Sequence, residues 1–386
     1  MAWWRFSRRA EEWREEAREH LGDARRFARP AIALLLYLLA TMALGIYWSR
    51  EPAQFSVTDA ARRILPKQTE PFATGSATAA TLFEVIATLL DKPGGFISND
   101  VAPPGVWLDN MPSWEYGVLT QARDLVKVLR ESVSHSQLNA AGELVPVADD
   151  EALMRAEPRL NFSPDSWALP SSESQYRDAQ DYLRDYLERL QGRSDKHAVF
   201  DASTSNLNLW LGRVTLRLGN LSQRLSACVR PQENPLLWPG AATTEIPLTP
   251  GGKIDDIFYE ARGSTWALLH FLRAAEIDYA APLAQNHALP LLHEVIRDLE
   301  QSQAPIYAPL ILNGRGFGLL ANHSLVMASY IARANTAVIN LRNVLAQAQP
   351  AISLQPFMSP QSFLPMQPSM PAQLPAPVQP PAPAQP

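Results

Sequence analysis

Three sets of side chains in this chain have the types and spacing for chemistry. Asp256 and Glu260 stand four apart, so on a helix they share a face one turn apart and could act as an acid and base pair or hold a hard cation. Asp255, Arg262 and His270 fall in the same segment and Asn322-His323 in a later one, which makes His323 the candidate to complete a catalytic set with Asp256 and Glu260. The second set, Asn99, Asp100, Asp109 and Asn110 with Trp107, lies in a Gly- and Pro-rich loop and has the mixed polar and aromatic make-up of a binding surface. The third, the run Gly314, Gly316 and Gly318 ahead of a helical pattern, could offer backbone N–H groups to an anion.

Each set also has a plainer reading. Acids at the start of a helix suit its positive end, and Glu260 can pair with an arginine; this reading is preferred for Asp255, Asp256 and Glu260. The dinucleotide fingerprint needs another third spacing and a flanking strand-helix-strand unit, so the three glycines fit a turn that lets helices come close. His270 and His323 read as hydrogen-bonded core histidines. His293-Glu294 opens like a zinc-protease motif, but Arg297 stands where the second histidine belongs. Neither GxSxG, nor a Walker loop, nor CxxC occurs, and Cys228 is the only cysteine, which rules out an intramolecular disulfide and a cysteine-based zinc site. No cofactor and no metal is expected.

The elements that would position these groups are helices. Apolar spacing predicts them over Thr78 to Leu90, Trp114 to about Ser134, Ser172 to Leu190 and Asp201 to about Val229. Asp255 to Ala275 and Leu320 to about Gln347 follow, with a further helix, Leu283 to Ser302, kinked at Pro290. Leu207, Leu211, Val214, Leu218, Leu221 and Leu225 alternate steps of four and three; Phe258 to Ala275 and Met327 to Val344 do likewise, the last through Tyr330 and Val344. Three such seams predict helices packed together as an antiparallel bundle or coiled coil. Gly94-Gly95, Pro103-Pro104-Gly105 and Pro112 predict an irregular but ordered loop over Lys92 to Pro112 that buries its own rings. Convincing strands are absent.

Ahead of all this, Ala31 to Trp48 carries no charged residue, long enough to cross a bilayer as one helix. Arg25, Arg26 and Arg29 precede it and Tyr47-Trp48 close it, which puts the N-terminus on the cytoplasmic side. A cleaved signal would have a shorter apolar core and a small-residue cleavage site. Residues 1–29 alternate Arg with Glu and place Phe6, Ala10, Trp13, Ala17 and Leu21 on one helical face, suited to a membrane surface. Beyond residue 50 the chain has 25 basic and 33 acidic groups, so it lacks the basic surplus that nucleic acid requires. Hydrophobic content of 46% supports a real core. From Pro350 onward twelve prolines in 37 residues predict a disordered spacer.

Several long stretches are familiar. KPGGFISNDVAPPGVWLDNMPSWEYGVL, LGNLSQRLSA, KIDDIFYEARGSTWALLHFLRA and ILNGRGFGLLANHSLVMASYIARAN closely resemble a proteobacterial membrane family known as domain of unknown function 2333. The resemblance runs from about Ser56 to Leu345. It implies a Gram-negative inner membrane and a periplasmic body, and it implies no activity, so no catalytic residue carries over.

The expectation is therefore an all-α protein. Residues 1–29 form a cytoplasmic leader, 30–48 a transmembrane helix, 49–348 a periplasmic helical domain and 349–386 a disordered tail. Its role would be to bind or scaffold, with the bilayer and another envelope protein or a second copy as partners. The alternative is a periplasmic hydrolase, or an enzyme acting on lipid or glycan, that uses Asp256, Glu260 and His323.

Overall fold

Where the apolar spacing is helical the chain is helical, and a computed structural model describes residues 29–65, 72–133, 136–138, 144–146, 149–192, 197–227, 253–305 and 323–347. The leader up to residue 28, Cys228, Gly314, Gly316, Gly318, Asn322 and the Pro-rich tail lie outside the described residues.

The apolar helix α1 spans Arg29–Trp48 and is long and apolar enough to cross a membrane. Almost none of its apolar window is buried in the rest of the protein, which separates it from a core helix. The hydroxyl of Thr41 is satisfied within the helix, its Oγ1 donating to the Tyr37 and Leu38 carbonyls, each at 3.0 Å.

The body contains α2 (Val57–Ile64), α3 (Ser76–Asp91), α4 (Asn110–Val128), α5 (Glu151–Leu160) and α6 (Ser172–Leu190). It continues with α7 (Thr204–Ala227), α8 (Ile254–Asp278), α9 (Ala280–Gln285), α10 (Leu289–Ser302) and α11 (His323–Gln347). Polar side chains set several starts. Asp150 accepts from the Ala152 and Leu153 amides at the head of α5, and Ser171 from the Ser174 amide at the head of α6. The start of α3 is capped from a distance: Asp278, the last residue of α8, accepts from the Gly75 and Thr78 amides at 2.9 and 2.6 Å. At the other end of α6, Gly192 takes the left-handed conformation that stops a helix.

At the centre lies α8. It packs against α3, α4 and α10, and more lightly against α2, α7 and α11. From Ala261 to Leu272 every residue of it is buried. Here the structure departs from the three-seam expectation. The seams of α7 and α11 do pack together, with Ile331 and Leu345 buried where Tyr330 and Val344 were expected. α8 instead has apolar neighbours on all sides and takes α4 as its main partner.

Two prolines also sit elsewhere than expected. Pro290 lies in the first turn of α10, and the break comes before it, at Asn286 to Ala288, where His287 has φ 52°. Pro112 lies in the first turn of α4, whose start Asp109 caps. A first-turn proline has no amide to lose from the helix, so both are tolerated there. The connection after α4 holds one small antiparallel ribbon, Ser136–Leu138 with Leu144–Pro146, too short to form a layer.

Candidate functional site

A densely bonded polar region lies at the junction where α1 meets the body. Glu51, three residues past the helix, is held by Arg262 of α8 through two bonds, Nε to Oε1 at 2.7 Å and Nη2 to Oε2 at 2.6 Å. The remaining Arg262 donor reaches the Ser302 and Ala304 carbonyls at 3.1 and 3.0 Å. Every nitrogen of this buried guanidinium thus donates. Two turns on, the Phe55 amide donates to His270 Nε2 at 3.1 Å and the Phe55 ring stacks on the imidazole, centroids 4.1 Å apart. His270 Nδ1 lies 2.7 Å from the Trp266 carbonyl, so it must carry the proton while Nε2 accepts, and the ring is neutral. Burial lowers its pKa to about 4, the nearby Arg273 charge adding to the shift and the Trp266 bond opposing it. Arg273 also donates to Gln54 at 3.2 Å. The segment 51–55 is therefore strapped along α8 by Arg262, His270 and Arg273.

The loop after α3 forms the second half of the junction. Lys92 and Glu115 make an ion pair with both side chains essentially sealed from water. Glu115 also accepts from the Ile97 amide at 2.9 Å, the Ser98 amide at 2.8 Å and the Ser98 hydroxyl at 2.5 Å, while Lys92 donates to the Gly95 carbonyl. Burial raises the Glu115 pKa, and Lys92 with these donors pulls it back. The loop so fixed grips the end of α1. A Cβ at Gly94 would lie 2.7 Å from the Trp48 ring, and Gly45 faces Pro104 and Leu108.

The predicted loop residues have separate places in this arrangement. Asn99 donates to the Ser166 carbonyl at 2.8 Å and to Glu173 at 2.7 Å, tying the loop to the turn before α6. Asp100 packs directly on Gly105, where a Cβ would come within 2.6 Å of its carboxyl carbon. Its pKa is raised by partial burial and by Glu173. Asp109 caps α4, Asn110 opens it, and Trp107 is exposed.

Asp256, Glu260 and His323 sit around the first half of α8 but engage different elements. Glu260 is bound by Arg224 of α7 through two bonds, at 2.6 and 2.7 Å. Asp256 accepts from Ser113 of α4 at 3.3 Å, and partial burial followed by Asp255 raises its pKa. His323 meets the edge of Phe258, centroids 6.4 Å apart. Glu260 lines a cleft of about 230 Å³ with Tyr116, Thr120, Arg217, Arg224 and Ser264. Arg217 is itself bound by Asp124 at 2.5 and 3.0 Å, so both arginines in the cleft face a carboxylate.

Sequence reasoning missed Glu51, Lys92, Glu115 and the role of Arg262. A signal existed for two of them: Glu115 and Arg262 are charges inside otherwise apolar helical faces, and such charges are almost always paired. The pattern of a bacterial family described as an uncharacterized protein conserved in bacteria (DUF2333) matches residues 24–348. The chain belongs to that family. Neither a curated protein nor a solved structure matches it. The family begins well before Ser56, where the resemblance seemed to start, so α1 and its preceding arginines are part of the family pattern, as is every residue of the junction. The Pro-rich tail falls outside it.

Proposed function

We propose that this family member is a single-pass inner-membrane protein. Its N-terminus lies in the cytoplasm, and its helical body works in the periplasm as a rigid binding or scaffold module for another envelope protein or a second copy. The observation that carries this reading is the strap from Glu51 to Phe55 on α8. A simple tether leaves its cargo free to rotate, whereas here the first residues beyond α1 are fixed to the central helix of the body. A body held in one orientation to the bilayer presents one defined face to a partner. The arginines at 25, 26 and 29 support the orientation across the membrane.

The test is crosslinking in intact cells with identification of the captured chain, run on the natural protein and on Arg262→Gln. The reading expects one reproducible envelope partner, or a second copy, whose capture falls when the strap is loosened while the helix content is unchanged. Capture indifferent to Arg262→Gln would contradict it.

A further inference from the structure

The region of the junction that faces outward is apolar. Between Asp100 and Asp109 the loop reads VAPPGVWL, with no charge, and Val101, Val106 and Trp107 are each more than half exposed. Asn99 joins this loop to Ser166, and the turn that follows Ser166 exposes Trp167 and Leu169 to a similar or greater degree. Two adjoining turns therefore expose five large apolar side chains, two of them tryptophan.

The level of the first of these turns relative to α1 is fixed by contact, and Asn99 ties the second turn to the first. The hydrocarbon of a bilayer is about 30 Å thick and needs about 20 helical residues, and α1 has 20. Pro104 and Leu108 lie 3.6 and 3.7 Å from the Cβ position of Gly45, three residues before the end of α1. Thr41 and Gly45 are the buried residues of α1, and with half-buried Trp48 they form one stripe at steps of four and three. The loop thus touches the last turn of the membrane helix, about 4.5 Å below its end at 1.5 Å per residue. A segment at that depth meets headgroups and the first methylenes of the acyl chains. Tryptophan and uncharged apolar residues are the side chains favoured there.

We propose that the turns 101–107 and 166–170 form a foot that enters the headgroup layer of the leaflet through which α1 leaves, so that the body rests on the membrane at three points. The Lys92–Glu115 pair and the Asn99 bonds hold the foot rigid without placing a net charge at its tip. This inference rests on reading α1 as membrane-spanning, and its test separates the two.

Full-length protein carrying Cys228→Ser is reconstituted into vesicles of phosphatidylethanolamine and phosphatidylglycerol. Single cysteines are introduced as Leu36→Cys in α1, Trp107→Cys and Leu169→Cys in the foot, and Leu216→Cys on the exposed face of α7. Each is labelled with an environment-sensitive fluorophore and quenched by nitroxide lipids. The expected result is blue-shifted emission and several-fold stronger quenching at positions 36, 107 and 169 than at 216. Water-like emission at 107 or 169 with lipid-like emission at 36 overturns the foot and leaves the anchor standing. Water-like emission at 36 overturns the anchor and the foot with it.

Discussion

Replacing glycine by alanine inside a helix ordinarily stabilises it by about 1 kcal/mol, and this protein should reverse that sign at one crossing and keep it at another. Where α4 meets α8, a Cβ on Gly263 would overlap the Trp114 carbonyl and lie 2.8 Å from its carbon. A Cβ on Gly117 would overlap the Glu260 carbonyl and lie 2.7 Å from the Ser264 nitrogen. These atoms are backbone and cannot swing aside. Ordinary carbon contacts are about 3.5–4.0 Å, so either alanine must push the two helices apart by about 1 Å. That would stretch the buried Gln121 to Ser264 bond of 2.7 Å and the Trp114–Trp266 ring contact of 5.3 Å. Overpacking of this kind costs about 1–3 kcal/mol and exceeds the helix gain when the obstacle is rigid. At Gly219 of α7 the nearest atom is the end of Asn335, 3.6 Å away, an ordinary contact. The assay is thermal unfolding of the full chain in detergent. Gly263→Ala and Gly117→Ala should each lower Tm by roughly 4 °C or more, about 2 kcal/mol, while Gly219→Ala leaves it unchanged or raises it. Equal or higher stability of Gly263→Ala would refute the reasoning about the crossing.

Other expectations concern the junction and the acidic set. Lys92→Met leaves a buried carboxylate without its cation and should cost about 3–5 kcal/mol at neutral pH. The loss should shrink as pH falls, because Glu115, already raised by burial, takes up a proton sooner than an ordinary carboxylate; a loss independent of pH would contradict this. His270 is neutral when folded and its pKa is about 4 against 6.5 ordinarily, so its contribution is complete above pH 6.5 and is lost as pH falls toward 4. At 1.36 kcal/mol per unit the difference is about 3 kcal/mol. The buried carboxyls of Asp278 and Glu115 are raised and work the other way, so the readout is the difference between the natural protein and His270→Gln: on acidification over that range the variant should lose less stability than the natural protein, or gain more. Asp256→Asn with Glu260→Gln should lower thermal stability by breaking the Arg224 pair while leaving the body's function in cells; lost function with unchanged stability would favour the enzyme reading.

Periodicity made the helices legible. Leu207 through Leu225 and Tyr176 through Leu187 are buried as their spacing demands. The environment of α8 was not legible, because a seam of Phe258, Ala261, Thr265 and Leu268 looks the same whether the remaining faces meet water or other helices. Trp266 and Phe271, both buried, were the hint that it is enclosed. The candidate site was legible only as a list of residues. Asp255 and Asp256 do sit in the first turn of their helix, and Glu260 does pair with an arginine, but that arginine comes from α7. Glu51 with Arg262 and Phe55 with His270 are separated by more than two hundred residues, and a single sequence does not encode which distant charge faces which. The glycines of the crossing carry no apolar signal, so periodicity passes over the two positions that let α4 and α8 approach.

In the topology proposed above, α1 crosses the inner membrane once and the body it holds lies outside the cytoplasm. Protease added to intact spheroplasts tests it directly, using antibodies to a tag at the N-terminus and to α11. That topology requires loss of the α11 epitope with the N-terminal tag surviving on a short fragment. An α11 epitope that persists in intact spheroplasts and disappears only after lysis would contradict it.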